Sequence, residues 1–144
     1  MPNSILSRPG ALLVIAARTG QERANARLEA MGLNVRVCGV LNLLADEGPL
    51  SQHQIGQLLN IDRTTMVELI DDLEREGIVR REVNPRDRRA HLIKLTAEGR
   101  PKQRRAMKAL DDAAEDFLSP LTAGERREMV ALLQKLLSGK DNPL

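Results

Sequence analysis

Two helical patterns joined by two residues, and followed by two short strand-like runs, constrain the fold of this chain most strongly. The first pattern begins at a capping box, in which Ser51 is the N-cap and Gln54 the third helical residue. The second begins after the N-cap Asp62 and ends at Gly77. Both carry an apolar stripe at helical spacing, formed by Ile55, Leu58 and Leu59 in the first and by Met66, Leu69, Ile70 and Leu73 in the second. Such a helix pair, with strands too few for an independent sheet, predicts a winged helix-turn-helix.

Positive charge is concentrated in the predicted hairpin and the residues after it. The strand-like runs 78–83 and 91–95 enclose the tip of the hairpin, where Arg86, Arg88 and Arg89 surround Asp87. Residues 78–105 contain 10 Lys and Arg against 3 Asp and Glu, whereas the whole chain has a net charge of +2. A segregated basic patch is typical of nucleic-acid binding, although a charge run alone is equally compatible with a solvated surface.

Further helices are predicted on both sides of this unit. They cover residues 11–31, the segment after the N-cap Asn34, residues 97–118 with a bend or late start at Pro101, and the segment after a capping box of Thr122 and Glu125. Apolar stripes on these helices would be exposed in a single chain, which predicts burial in a homodimer. We expect a mainly α fold with a small β-wing, a winged helix-turn-helix flanked by N- and C-terminal dimerisation helices. The predicted parts are an N-terminal dimerisation helix at 1–33, a DNA-binding region at 34–99 and C-terminal dimerisation helices at 100–144.

Composition favours helix packing and argues against several classes of protein. Of the 144 residues 42% are apolar, yet there is one Phe and neither Tyr nor Trp, so the core must be aliphatic. One cysteine excludes an internal disulfide. No apolar run is long enough for a membrane span and no signal-peptide pattern is present, so we expect a cytoplasmic location. Because neither metal-ligand spacing nor a catalytic motif is found, we expect no metal, no cofactor and no enzymatic activity.

The second helix of the pair is the predicted recognition helix, whose exposed face would contact DNA. We assign Arg63, Thr64 and Thr65 in its first turn to phosphate and base contacts, and Val67 to a thymine methyl group. The two threonines are also explained by helix-start chemistry. Glu68 either accepts a hydrogen bond from cytosine N4 or restrains an arginine, because six acids against two arginines in residues 61–77 make this helix unusually acidic.

The preceding helix would cross the phosphate backbone, which makes Ser51, Gln52 and Gln54 candidate contacts. Capping alone explains Ser51 and Gln54, whereas a phosphate contact from Gln52 stays open.

In the wing, Arg89 is the predicted minor-groove side chain, and Arg86 and Arg88 are assigned to phosphates. Asp87 is predicted to orient a guanidinium group through a bidentate pair.

Two segments resemble the MarR (multiple antibiotic resistance regulator) family. Residues 87–99, DRRAHLIKLTAEG, are similar to its wing signature, and residues 62–79, DRTTMVELIDDLEREGIV, to its recognition helix and following strand. The resemblance covers about residues 10–138. It implies an obligate homodimer, a triangular helical fold, a palindromic double-stranded DNA operator, and repression relieved by a small-molecule effector or by oxidation. The chain departs from the family at Glu68 and Asp72, where a basic residue is common, so base preference cannot be carried over.

Four residues outside the DNA-binding region are candidates for effector or redox sensing. Cys38 and Asn42 lie one turn apart on the predicted second helix, and Cys38 stands where many family members have an aromatic residue. Cys38 either fills core space or acts as a redox sensor, which would require an exposed thiol with a lowered pKa. Arg18 and Arg23 could meet an anionic ligand in a cavity between the first, second and fifth helices.

These patterns predict a sequence-specific double-stranded DNA-binding transcriptional regulator. Repression by occluding a promoter, released by a small ligand or an oxidant, is the expected mechanism. Two alternatives stay open: a non-specific architectural DNA-binding protein, and a protein-interaction module that has lost DNA reading.

Overall fold

The computed structural model describes residues 2–139; Met1 and residues 140–144, which the predicted terminal regions include, lie outside the described residues. The described part contains seven helices and a three-stranded antiparallel sheet. The helices are α1 (Asn3–Leu6), α2 (Pro9–Glu29), α3 (Val35–Glu47), α4 (Gln52–Leu59), α5 (Arg63–Arg75), α6 (Gly99–Phe117) and α7 (Ala123–Leu137). The strands are β1 (Leu50–Ser51), β2 (Val79–Asn84) and β3 (Asp87–Leu95), in the order β1-β3-β2. The predicted mainly α fold with a small wing is confirmed.

The predicted helix starts are confirmed because each N-cap side chain accepts a hydrogen bond from a backbone N–H of the first turn. Asn34 accepts from Val37 at 2.9 Å, Ser51 from Gln54 at 3.1 Å, Asp62 from Thr65 at 2.9 Å and Thr122 from Glu125 at 3.2 Å. In both capping boxes the third helical residue also accepts the N-cap amide. These contacts satisfy amides that the helix itself leaves without partners.

The core is aliphatic, as the composition predicts, and falls into two clusters. The larger joins the helix-turn-helix to the sheet and contains Val40, Leu41, Leu44, Ile55, Met66, Leu69, Ile70, Leu73, Ile78, Val79, Ile93 and Leu95. The smaller joins α2, α3 and α6 through Leu28, Leu33, Cys38 and Ala106. The larger cluster therefore fixes α5 and the wing as one unit.

The start of α6 is packed against the start of the wing. The amide of Thr96 donates to the carbonyl of Ile78 at 3.0 Å, and its hydroxyl accepts from the amide of Gly99 at 2.9 Å. A Cβ atom on Gly99 would lie 2.1 Å from the Ile78 carbonyl oxygen, so this position requires glycine. The predicted late start is confirmed, since α6 begins at Gly99 and Pro101 lies in its first turn, where no intrahelical donor is needed.

Other boundaries differ from the predictions. The wing turn is Pro85–Arg86, so Asp87, Arg88 and Arg89 begin β3 instead of forming the tip. The predicted hairpin gains a third strand, since Leu50 pairs with Ile93. Short α1 was not predicted. None of the helices described within residues 2–139 is long and apolar enough to cross a membrane.

Candidate nucleic-acid interface

The first turn of α5 presents side chains of two different kinds. Asp62 accepts from both the amide and the hydroxyl of Thr65, at 2.9 and 2.7 Å, and these bonds hold the pKa of the Asp62 carboxyl below its ordinary value. The Thr65 hydroxyl is thus engaged in helix-start chemistry. Arg63 and Thr64 are exposed, and one turn on Val67 is 37% exposed. This face therefore offers one cation, an apolar group and one hydroxyl, that of Thr64, which has no hydrogen-bond partner within residues 2–139.

The three residues at the start of α4 that were predicted to contact DNA form hydrogen bonds within the protein. Ser51 and Gln54 exchange their two capping hydrogen bonds. The side-chain oxygen of Gln52 accepts from Nε of Arg81 at 3.1 Å. The side-chain nitrogen Nε2 of Gln52 makes no hydrogen bond among the described residues.

Arg81 of β2 links the recognition helix to the wing, a contact that sequence reasoning missed. Its guanidinium group donates to Asp71 at 2.6 Å and to Glu74 at 2.8 Å, and its backbone amide donates to Glu74 at 3.0 Å. Burial disfavours the charge, yet the hydrogen bonds and charges of Asp71 and Glu74 raise the pKa of Arg81 above its ordinary value. The signal available in the sequence was two acids one helical turn apart, followed by a strand arginine.

The contacts of Arg81 with Asp71 and Glu74, called the clamp below, and two further ion pairs explain why the recognition helix is acidic. Asp72 pairs with Arg75 at 2.8 Å, and Glu76 lies 3.7 Å from Nζ of Lys102. Glu68 is exposed and forms no ion pair within residues 2–139. The predicted restraint of an arginine by Glu68 is therefore wrong for this structure, since Asp71 and Glu74 perform that task.

The wing presents three arginines around a short turn. Asn84 accepts from the amide of Arg86, and Asp87 accepts from the amide of Arg89, both at 3.0 Å. Asp87 thus orients backbone at the start of β3; the predicted bidentate pair with a guanidinium is not formed. Arg86, Arg88 and Arg89 are exposed and have no carboxylate within 4 Å among the described residues.

A cleft of about 860 Å³ lies between the helix-turn-helix and the wing strand β3. It is bounded by α4, the start of α5 and β3, and is named the wing cleft here. Of the predicted DNA contacts it brings together Ser51, Gln52, Arg63 and Arg89. The remaining predicted contacts lie outside its lining and are Gln54, Thr64, Thr65, Val67, Glu68, Arg86, Asp87 and Arg88.

The two predicted effector arginines on α2 have separate partners. Arg18 lies 3.9 Å from a carboxylate oxygen of Glu22, and both side chains are mostly exposed. The guanidinium of Arg23 lies 5.2 Å from the ring centroid of Phe117, a cation–π contact.

Cys38 and Asn42 also have separate environments. Cys38 is fully buried in the smaller core cluster, and burial raises the pKa of its thiol. Because a redox sensor needs thiolate and access, this environment favours the core-filling interpretation. The side-chain oxygen of Asn42 accepts from Nε2 of Gln103 at 3.0 Å. The four candidates do not share a single constellation of contacts.

The fold defines a winged helix-turn-helix protein, and exposed arginines lie on the first turn of its recognition helix and on its wing. A sequence model described as MarR family matches residues 31–90. The HTH-type transcriptional regulator PrsX of Escherichia coli is 32% identical over 133 residues, which cover 91% of this chain and 80% of PrsX. The chain belongs to the MarR family. A putative regulatory protein for the hcr operon of Thauera aromatica is 29% identical over 73% of this chain, which spans 63% of that relative's length.

Solved structures share the fold. A mutant of MarR from Escherichia coli, complexed with operator DNA, superposes with a TM-score of 0.78 at 24% identity, covering 89% of this chain and 92% of that one. The MarR family protein Rv2887 of Mycobacterium tuberculosis, complexed with p-aminosalicylic acid, has a TM-score of 0.76 at 27% identity, covering 92% of this chain and 100% of that one.

Proposed function

We propose that this protein is a sequence-specific transcriptional regulator that binds a palindromic double-stranded DNA operator as a homodimer. In this proposal α5 enters the major groove, and its exposed residues Arg63, Thr64, Val67 and Glu68 face the bases. The wing lies over the adjacent minor groove with Arg89 inserted, while Arg86 and Arg88 contact phosphates.

The observation that carries this proposal is a contrast between two sets of arginines. Arg81 is paired with carboxylates, whereas Arg63, Arg86, Arg88 and Arg89 are exposed without a carboxylate partner among residues 2–139. These four arginines lie together on the start of α5 and on the wing, whereas other exposed arginines that lack a carboxylate partner within the described residues, such as Arg8 and Arg127, lie on the outer helices or beside them. A surface that holds cations without internal partners is suited to a polyanion, and phosphates supply most of the affinity for DNA.

Exposed apolar side chains on the outer helices support the homodimer. On α1 and α2, Leu6, Leu13 and Val14 are 50%, 48% and 68% exposed. On α7, Leu132 and Leu136 are 56% and 60% exposed, although the helix is capped at its start and well formed. Leucine stripes of this kind require burial, and a second copy of the chain supplies an equal stripe. The terminal regions 1–33 and 100–144 are therefore the proposed dimerisation elements.

Repression released by a small ligand is the proposed mode of action. Promoter occlusion requires DNA binding alone. A relative of the same fold holds p-aminosalicylic acid, so an aromatic carboxylate is a reasonable first ligand to test. The buried thiol of Cys38 gives less support to release by an oxidant.

Selection from a random duplex library, followed by titration of the selected duplex and a scrambled one across a salt series, tests this function. A preference of about 10³ or more for the selected sequence is expected. Equal, steeply salt-dependent binding would instead indicate an architectural protein. Arg89→Gln should weaken binding by about 1–3 kcal/mol and reduce the salt slope. Lys108→Gln on α6, which removes the same charge from a side chain 77% exposed and paired with Asp112, is the matched control and should bind normally.

Sedimentation of the full chain tests the dimer directly. Leu132→Glu and Leu136→Glu, which place charges within the exposed stripe of α7, should convert the dimer to monomers. If the wild-type chain sediments as a monomer at micromolar concentration, the proposed two-fold recognition of a palindrome is wrong.

A further inference from the structure

Both histidines of the chain line the wing cleft. His53 is on α4 and His91 on β3, far apart in sequence, and both are exposed. They face the same space as Arg63 from α5 and Arg89 from β3. Four nitrogen-rich side chains, from three elements, therefore surround one opening between the recognition helix and the wing.

The side chains that line the wing cleft are all either positively charged or neutral. Its charged and titratable groups are His53, Arg63, Arg89 and His91, and no Asp, Glu or Lys is among the lining residues. The carboxylates nearest in sequence, Asp62 and Asp87, bind backbone amides of their own turns. Protonation of either histidine would raise the positive potential of a lining that itself contains no carboxylate.

Geometry indicates what the cleft would hold. A recognition helix occupies the major groove, and a wing arginine is inserted in the adjacent minor groove. Adjacent grooves of a duplex are separated by a single sugar–phosphate strand. That strand must pass between the first turn of α5 and the wing, and the wing cleft, which Arg63 of α5 and Arg89 of β3 both line, lies on this path. Its volume of about 860 Å³ is within the range that holds ligands of several hundred daltons, enough for a short phosphodiester segment.

We propose that the wing cleft binds the DNA backbone strand between the two grooves, and that His53 and His91 contact its phosphates as imidazolium groups. The proposal rests on the function proposed above and adds two contacts that titrate. Gln57 and Asn60, which also line the cleft, supply neutral hydrogen-bond donors to the same strand. DNA binding then takes up protons, so affinity rises as the pH falls across the range in which histidine changes its charge.

The experiment measures the dissociation constant of the full chain for a fluorescein-labelled 30-base-pair duplex of arbitrary sequence at low salt, from pH 8 to pH 6. An arbitrary duplex is sufficient because phosphate contacts do not depend on sequence. A histidine whose protonation is favoured tenfold by a phosphate contributes up to about tenfold to affinity over this range. The effects of two such histidines multiply, so the affinity of the wild type should rise about tenfold or more beyond that of His53→Gln/His91→Gln, which contains no histidine, between pH 8 and pH 6.

A charge-fixed variant separates a phosphate contact from a structural role. His53→Lys/His91→Lys should bind more tightly than the wild type at pH 8 and should lose the histidine-dependent change with pH. Circular dichroism confirms that both double variants are folded. If wild type and the glutamine variant show the same pH dependence while both bind DNA, the histidine contacts are wrong and the proposed function stands. If neither this duplex nor the duplex selected from the random library is bound at any pH, both proposals fall.

Discussion

Arg81→Met tests whether the clamp between the recognition helix and the wing stabilises the fold. The change keeps much of the apolar stem and removes the guanidinium group, which donates to Gln52, Asp71 and Glu74. The Arg81 side chain is 23% exposed, so the clamp is partly shielded from water.

The expected loss of stability in Arg81→Met follows from the solvent exposure of the two carboxylates that pair with Arg81. Asp71 and Glu74 are 46% and 41% exposed, so each ion pair should contribute at most about 1 kcal/mol. The hydrogen bond from the charged Arg81 to Gln52 adds about 1 kcal/mol. The two carboxylates stay hydrated after the substitution, so no penalty for an unpaired buried charge is added. Arg81→Met should therefore lower the free energy of unfolding by about 2 kcal/mol.

Urea unfolding followed by circular dichroism measures this change. Circular dichroism is preferred because the chain lacks the tryptophan needed for intrinsic fluorescence. With a slope of about 2 kcal/mol per molar urea, the midpoint should fall by about 1 M. All variants are compared at one protomer concentration, since the stability of a dimer depends on concentration.

Arg80→Met is the matched control on the same strand. Arg80 pairs with Glu82 at 2.7 Å but is 54% exposed and has no helix partner among residues 2–139, so its loss should lower the free energy of unfolding by less than about 0.5 kcal/mol. If Arg81→Met and Arg80→Met destabilise the chain equally, the clamp contributes nothing beyond an ordinary surface ion pair and the reasoning is refuted.

Three further substitutions test other contacts. Gly99→Ala should lower the free energy of unfolding, measured by thermal unfolding, by more than about 2 kcal/mol, because the added methyl group would overlap the Ile78 carbonyl. An unchanged stability would show that the start of α6 can shift to accommodate the methyl group. Hydrogen bonds with Thr122 lower the pKa of Glu125, so its contribution to stability is full above about pH 4.3 and is lost as the pH falls through the lowered native value. Glu125→Gln should therefore lose less stability on acidification than the wild type, as measured by urea midpoints at pH 6 and pH 3. Asp87→Ala should weaken DNA binding about fivefold although it removes a negative charge, because Asp87 fixes the amide of Arg89; tighter binding in a titration would contradict this role.

The sequence predicted features that depend on neighbours along the chain. The N-caps Asn34, Ser51, Asp62 and Thr122 were identified because a capping side chain bonds an amide two or three residues ahead. The wing was located from its strand runs, but its turn was misplaced by a few residues, since several turn geometries fit the same polar segment.

Features formed by residues distant in sequence required the tertiary structure. Arg81 and Gln52 are 29 residues apart, and no local pattern pairs them. The same limitation applied to Glu68, for which the sequence left open a base contact or the restraint of an arginine, and which the fold leaves exposed.

By itself the sequence determined the six longer helices, the two longer strands of the wing, the aliphatic core and the family, because periodicity, capping and composition act over a few residues. Only the tertiary structure decided which acids of the recognition helix pair with Arg81, that Cys38 is buried, and that His53 and His91 line the same cleft. The physical reason is that charge pairing and burial depend on distances through space, which packing of the helices against the sheet fixes.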